Sequence, residues 1–488
     1  MSPQDSTPLL TALKAAADRP YAAFHTPGHK QGQGIAASLR DLLGSEVFRA
    51  DLPELPGLDN LFAPEGVIQQ AQVLAAAAFG AEQTWFLANG STCGVEAALL
   101  ATCDPGDTVI LPRNAHQSAI AGLILSGAMP VFVLPEYDST WDVAHCVTPE
   151  AIEQALSQYP HTKAVLVVSP TYYGIGGNLN AIAQITHQYN IPLLVDEAHG
   201  AHFAFHPDLP TPALEAGADL TVQSTHKTLS ALTQASMLHV QGSRIDRDRL
   251  SRSLQLVQST SPSYLLLASL DAARQQMATE GYALLSHSLE LATYAHTQIA
   301  QIPGLSVFTP DPAHPRQGIW ECDRTRLTIN VTGLGITGFQ ADEILHQTLG
   351  VTAELPALHS LTFIITPGNT RQDIEQLVTA CRTLAERRSS SLLASFPASP
   401  SHLPTSLPTP LTPRQAFFAP TVAVSLKDAI GQVSAEWICP YPPGIPVLFP
   451  GEVVTADAVH YLQQVLAAGG MVTGCTDPDL QTLKVVKS

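Results

Sequence analysis

Lys227 stands in Gln223-Ser224-Thr225-His226-Lys227, and upstream of it Asp196 stands in Val195-Asp196-Glu197-Ala198-His199-Gly200. A buried lysine can lose its proton and form a Schiff base with an aldehyde. A carboxylate at the end of an apolar strand can keep a pyridine nitrogen protonated. The protonated ring of pyridoxal phosphate then accepts the electron pair left when a bond to an amino acid's Cα breaks. The pair predicts pyridoxal-phosphate chemistry on an amino acid.

Other residues fit that reading. Asn89-Gly90-Ser91-Thr92 falls between a strand and a helix. Glycine admits a ligand close to the backbone, and free N–H groups with two hydroxyls can hold a phosphate. No Walker lysine follows, which disfavours a nucleotide P-loop. Ser224, Thr225 and His226 add two hydroxyls and an imidazole beside Lys227. His116 follows Leu111-Pro112-Arg113-Asn114-Ala115, where a flat ring could stack on a cofactor. The spacing His199-x-x-His202-x-x-x-His206 resembles part of a zinc signature, but the glutamate of a His-Glu-x-x-His motif is missing. Gly200, Phe203, Phe205 and Pro207 also oppose a continuous helix there, so no metal is expected.

These residues need strand ends to hold them. Trp85-Phe86-Leu87, Val109-Ile110-Leu111, Val131-Phe132-Val133, Ala164 to Val168 and Leu193-Leu194-Val195 are short apolar runs, most of them spaced for a crossover helix. The alternation predicts an α/β fold with a mostly parallel sheet covered on both faces. Ligands bind at the carboxyl ends of such strands, where Asp196 and Ser169-Pro170-Thr171 fall. Residues 1–60 read as an N-terminal arm with loops, and 61–310 as a large cofactor-binding domain. A long helix is expected over 263–302. Strands near 327–331 and 361–365, with a helix around 373–387, predict a smaller α+β domain over 311–388. The Ser/Pro-rich stretch 389–413 reads as a linker, and 414–488 as a C-terminal domain. Within that last part, the prolines of Cys439-Pro440-Tyr441-Pro442-Pro443-Gly444-Ile445-Pro446 predict a rigid loop.

The bulk numbers exclude other classes. A net charge of −18 disfavours nucleic acid as a partner. Seven scattered cysteines without a CxxC pair read as reduced thiols. No apolar run approaches the ~20 residues of a membrane span, and no secretory signal is apparent, so a cytoplasmic protein is expected.

Thr26-Pro27-Gly28-His29-Lys30, Pro56-Gly57-Leu58-Asp59, Asp196-Glu197-Ala198-His199-Gly200, Ser224-Thr225-His226-Lys227, Gln234-Ala235-Ser236 and Pro440-Tyr441-Pro442-Pro443-Gly444 occur in that order over nearly the whole chain. Together they resemble the bacterial ornithine/lysine/arginine decarboxylase family, in its shorter form without the extra N-terminal domain of the large inducible enzymes. The resemblance implies fold type I of the pyridoxal-phosphate enzymes, with a seven-stranded type of sheet. It also implies a homodimer or larger homo-oligomer with active sites at the interface. It makes Lys227 the Schiff-base lysine, Asp196 the pyridinium partner and His116 the stacking ring. Ser91, Thr92, Ser224 and His226 are the expected phosphate or near-phosphate ligands, and Thr171 and Ala198 further cofactor contacts. His226 or Lys227 is the expected proton donor to Cα. The proline-rich 389–413 departs from the family pattern.

The implied reaction is decarboxylation of a basic amino acid, with arginine ahead of lysine and ornithine because the short form is closer to biosynthetic members. The distal cation needs a carboxylate. Glu354 and Glu436 are the first candidates, with Glu452 and Asp59 behind them. An aminotransferase, or a carbon–sulfur or aldol lyase, shares the lysine and aspartate; Arg371 would be the carboxylate-binding arginine of an aminotransferase. A cofactor-binding scaffold without turnover is the non-enzymatic alternative, and an intact Lys227 opposes it.

Overall fold

The structure is a computed structural model that describes residues 2–310, 317–387, 410–441 and 445–487. Most of the expected linker, 389–409, and the Pro442-Pro443-Gly444 step lie outside the described residues.

Seven strands make the main sheet: β1 (Gln83–Leu87), β2 (Thr108–Pro112), β3 (Met129–Val133), β4 (Ala164–Val168), β5 (Leu193–Asp196), β6 (Leu220–Gln223) and β7 (Ser236–Val240). Their order is β1-β7-β6-β5-β4-β2-β3. The sheet is mostly parallel, with β7 antiparallel to both neighbours. The expected α/β architecture is therefore the observed one. The strands are apolar along their length because helices cover both faces of such a sheet.

The chain forms two compact units, residues 1–101 with 196–285 and residues 102–195 with 286–488. In the first, β1, β7 and β6 run in register, Leu87 opposite Ser236 and Met237 opposite Gln223. Three chain segments thus meet at one end: the exit of β1, the entry of β7 and the exit of β6. The helix Gly90–Thr102 packs closely there. A Cβ on Gly94 would lie 2.6 Å from Val222 Cγ1 and 2.8 Å from Leu87 Cδ1.

In the second unit, β8 (Ser306–Val307), β9 (Arg326–Asn330), β10 (Leu355–Pro356) and β11 (Ser360–Ile364) form an antiparallel sheet in the order β8-β9-β11-β10. Its core joins Leu327, Ile329, Leu361 and Phe363 to Ile374, Leu377 and Cys381 of the helix Arg371–Glu386. The long expected helix runs Tyr264–Ile299. A separate core around Ile438, Leu448, Leu462 and Leu483 organises the C-terminal residues.

One local expectation is corrected. Cys439–Tyr441 is a short strand paired antiparallel with Met471–Thr473, not a loop. A two-stranded ribbon has an outer edge that asks for no N–H donor, so Pro440 fits.

Candidate active site

Lys227, Asp196, Ala198, Ser91, Thr92, Ser224 and His226 all fall in the first unit. Gly90, at φ +73°, turns the chain after β1 into the helix that carries Ser91 and Thr92. Gly90 N donates to Gln234 O at 2.9 Å, and Gln234 Nε2 donates to Asn89 Oδ1 at 3.2 Å. The entry of β7 thereby clamps the turn. Ser224 Oγ lies 2.7 Å from Ser91 Oγ, joining the segments after β1 and β6 through two hydroxyls.

Lys227 sits in the short helix Thr225–Thr228 directly beyond β6, with its N–H donating to Ser224 O at 3.0 Å. His226 N donates to Ala235 O, and His226 Nδ1 lies 2.9 Å from the same carbonyl. That ring nitrogen must therefore carry the proton, and burial pushes the imidazole pKa below its ordinary value.

Asp196 is buried at the end of β5 and accepts from Ala198 N at 3.1 Å. Burial raises its carboxyl pKa, opposed by the Lys227 charge and the Ala198 hydrogen bond. An ionised Asp196 is thus short of positive charge, and a protonated ring nitrogen supplies it. Thr225 Oγ1 is also buried, with no hydrogen-bond partner among the described residues. A buried carboxylate, an amine, an orphaned hydroxyl and a Ser91–Ser224 hydroxyl pair on a glycine turn are the donor set that pyridoxal phosphate requires. The residues fit the cofactor.

Two expected residues belong to the second unit and are described there. His116 caps the helix Gln117–Ser126, its Nδ1 accepting from Ser118 N at 3.3 Å and lying 2.9 Å from Ser118 Oγ. Thr171 is buried beyond β4, and Ile175 N donates to its Oγ1.

The candidate acids separate. Asp59 accepts from the backbone N–H groups of Asn60, Glu65, Gly66, Ile68 and Gln69. Burial pushes its pKa up, but these donors outweigh it and hold the carboxyl below its usual value. Glu436 accepts from Thr476 N, Thr476 Oγ1 and Lys484 N. Glu452 pairs with Arg113 at 3.1 Å. These three spend their oxygens inside their own units, whereas Glu354 is exposed. Arg371, the aminotransferase candidate, lies over the Tyr294 ring and pairs with Glu375 at 3.0 Å on the surface.

Sequence reasoning missed His199 as part of this site. It is 4 % exposed, and its Nε2 lies 3.0 Å from Lys227 Nζ. His206 stacks on Tyr282 instead. The available signal was His199's place one turn after Asp196. Glu197 was missed too: it accepts from Ala213 N, Thr221 Oγ1 and Gln223 Nε2, tying the Asp196 segment to β6.

The Orn/Lys/Arg decarboxylase major-domain model matches residues 7–321, and the Orn/Lys/Arg decarboxylase C-terminal domain matches 401–484. Arginine decarboxylase of Bacillus subtilis (strain 168) is 38% identical over 490 residues, covering 99% of this chain and 98% of that protein. Arginine decarboxylase of Halalkalibacterium halodurans is 39% identical over 487 residues, covering 100% and 99%. The crystal structure of the Francisella novicida lysine decarboxylase LdcF shares the fold, with a TM-score of 0.84 at 22% identity over 99% of this chain and 81% of that one. The sequence matches run through both the major and the C-terminal parts, and this chain belongs to the Orn/Lys/Arg decarboxylase family.

Proposed function

We propose that the protein is a pyridoxal-phosphate-dependent carboxy-lyase that decarboxylates a basic L-amino acid, with arginine the favoured substrate. One observation carries the reading. Lys227, Asp196 and the Ser91–Ser224 hydroxyl pair sit in one unit of a chain similar, over 98–99% of their length, to proteins named arginine decarboxylase.

When bound, pyridoxal phosphate supplies a carbonyl that condenses with amines and a protonated ring that accepts the electron pair of the broken Cα–carboxylate bond. The chain's residues do the rest. Ser91, Thr92 and Ser224 hold the phosphate, with Thr171 and Ala198 as further contacts. Asp196, desolvated and anionic, holds the ring proton. Lys227 would supply the amine that holds the cofactor when no substrate is bound. His116 supplies a flat ring for stacking. His226 or Lys227 delivers the proton that replaces the carboxylate. For the distal cation of the substrate, Glu354 is the acid to test first, because the oxygens of Glu436 already accept three hydrogen bonds.

Assembly as a homodimer or larger homo-oligomer belongs to the same reading.

A panel of arginine, lysine, ornithine and leucine, followed by carbon dioxide and amine release, tests the proposal. Arginine should lead. Leucine should be turned over at least about tenfold less well, because it has no distal cation for the acid that selects basic substrates. Lys227→Ala should abolish release. Transamination without carbon dioxide, or equal activity on neutral and basic amino acids, would refute it.

A further inference from the structure

His199 is held more firmly than a loop histidine needs to be. Gly200 N donates to Glu197 O at 2.9 Å, closing a tight turn. A Cβ on Gly200 would lie 2.7 Å from Glu197 Cγ and 2.9 Å from Phe203 Cε2, so only glycine lets the turn pack this closely. Glu197 is itself anchored by Ala213 N at 2.8 Å, Thr221 Oγ1 at 3.1 Å and Gln223 Nε2 at 2.7 Å. The ring on this turn is buried, and its Nε2 is 3.0 Å from Lys227 Nζ.

An ammonium has donors and no acceptor. Against a protonated Lys227, Nε2 of His199 must therefore be the bare nitrogen, with the ring proton on Nδ1. The arrangement is a base in hydrogen-bond contact with the one nitrogen that must be neutral before it can attack a carbonyl. His226 is placed otherwise, since its Nδ1 is engaged by Ala235 O.

We propose that His199 is the proton acceptor and donor for Lys227. One N–H bond breaks at Nζ and one forms at Nε2; the Nζ lone pair is then free to attack. The imidazolium returns that proton when the lysine amine is released, so no net proton and no electrons are consumed. This rests on the proposed role of Lys227 and adds the group that moves its proton.

The test uses the full-length protein stripped of cofactor, mixed with pyridoxal phosphate while the imine absorbance band is followed. The attachment site is fixed by borohydride reduction and peptide mapping. His199→Ala should slow band formation by roughly a hundredfold or more, the usual reach of general acid–base catalysis. Free imidazole should restore part of the rate in proportion to its concentration. His199→Gln keeps a side chain able to accept a hydrogen bond but unable to take a proton, and it should stay slow while its circular dichroism matches wild type. Wild-type rates in either variant would overturn the inference. So would a slow His199→Ala that imidazole leaves unchanged, because a structural loss is not repaired by a free base. A wild-type protein that forms no imine at Lys227 would instead sink the proposed function, and this inference with it.

Discussion

Arg113 and Glu452 are 339 positions apart in sequence and meet at 3.1 Å, each with a side chain 2 % exposed. Arg113 also donates to Pro446 O and Val447 O and lies against the Phe132 and Phe449 rings. Its guanidinium thus makes three hydrogen bonds and two ring contacts within the protein. The loop that leads from β2 to His116 is thereby fastened to Pro446 and Val447, at the end of the proline-rich stretch.

Breaking this pair from one side leaves a buried charge without its partner. Arg113→Met or Glu452→Leu alone should destabilise the protein by about 3–5 kcal/mol. The double variant Arg113→Met/Glu452→Leu should recover a large part of that loss, because two apolar groups need no mutual compensation. Urea denaturation of the four proteins of the cycle reads both values. Additive losses would show that the two residues act independently.

Gly94 tests the packing beneath the Ser91–Thr92 turn. A methyl there meets Val222 Cγ1 and Leu87 Cδ1 well inside contact distance. Gly94→Ala should therefore cost about 1–3 kcal/mol despite alanine's better helix propensity. A thermal melt decides the sign, and a gain in stability would mean that the helix shifts freely over β1 and β6.

Glu197 predicts a pH dependence. Burial pushes its carboxyl up to about 7 against the pull of the Gln223, Ala213 and Thr221 hydrogen bonds. An acid with a raised folded-state pKa binds its proton more tightly folded than unfolded. Its contribution to stability is complete below the unfolded value and is lost as pH rises through the folded one. The cofactor-free protein should lose roughly 3 kcal/mol from this group between about pH 4.5 and pH 7. Denaturation midpoints of wild type and Glu197→Gln across that range measure it, and the variant should lack this part of the slope.

Asp196→Asn should keep the Ala198 N–H contact through its amide oxygen and still take up pyridoxal phosphate. A neutral amide cannot stabilise a ring proton, so decarboxylation should become very slow while the bound absorbance persists. Spectrophotometric titration beside a carbon dioxide assay separates the two, and near-normal kcat in this variant would remove Asp196 from the mechanism.

The sequence alone determined what depends on residue type and short spacing. Apolar runs with crossover lengths between them dictated a mostly parallel sheet. Lys227 beyond β6 and Asp196 at the end of β5 were legible because strand ends and their polar successors lie within a few residues of each other. The tertiary structure decided what each charged or polar group faces. Asp59, Glu436 and Glu452 read alike as acids, yet one caps a helix, one binds Thr476 and Lys484, and one neutralises Arg113. Cys439–Tyr441 became a strand because Met471–Thr473 supplies the partner. His199 read only as part of an incomplete zinc spacing until the turn after β5 set it against Lys227. A side chain's chemistry is carried by its own atoms, but its role is fixed by neighbours that only long-range packing brings near.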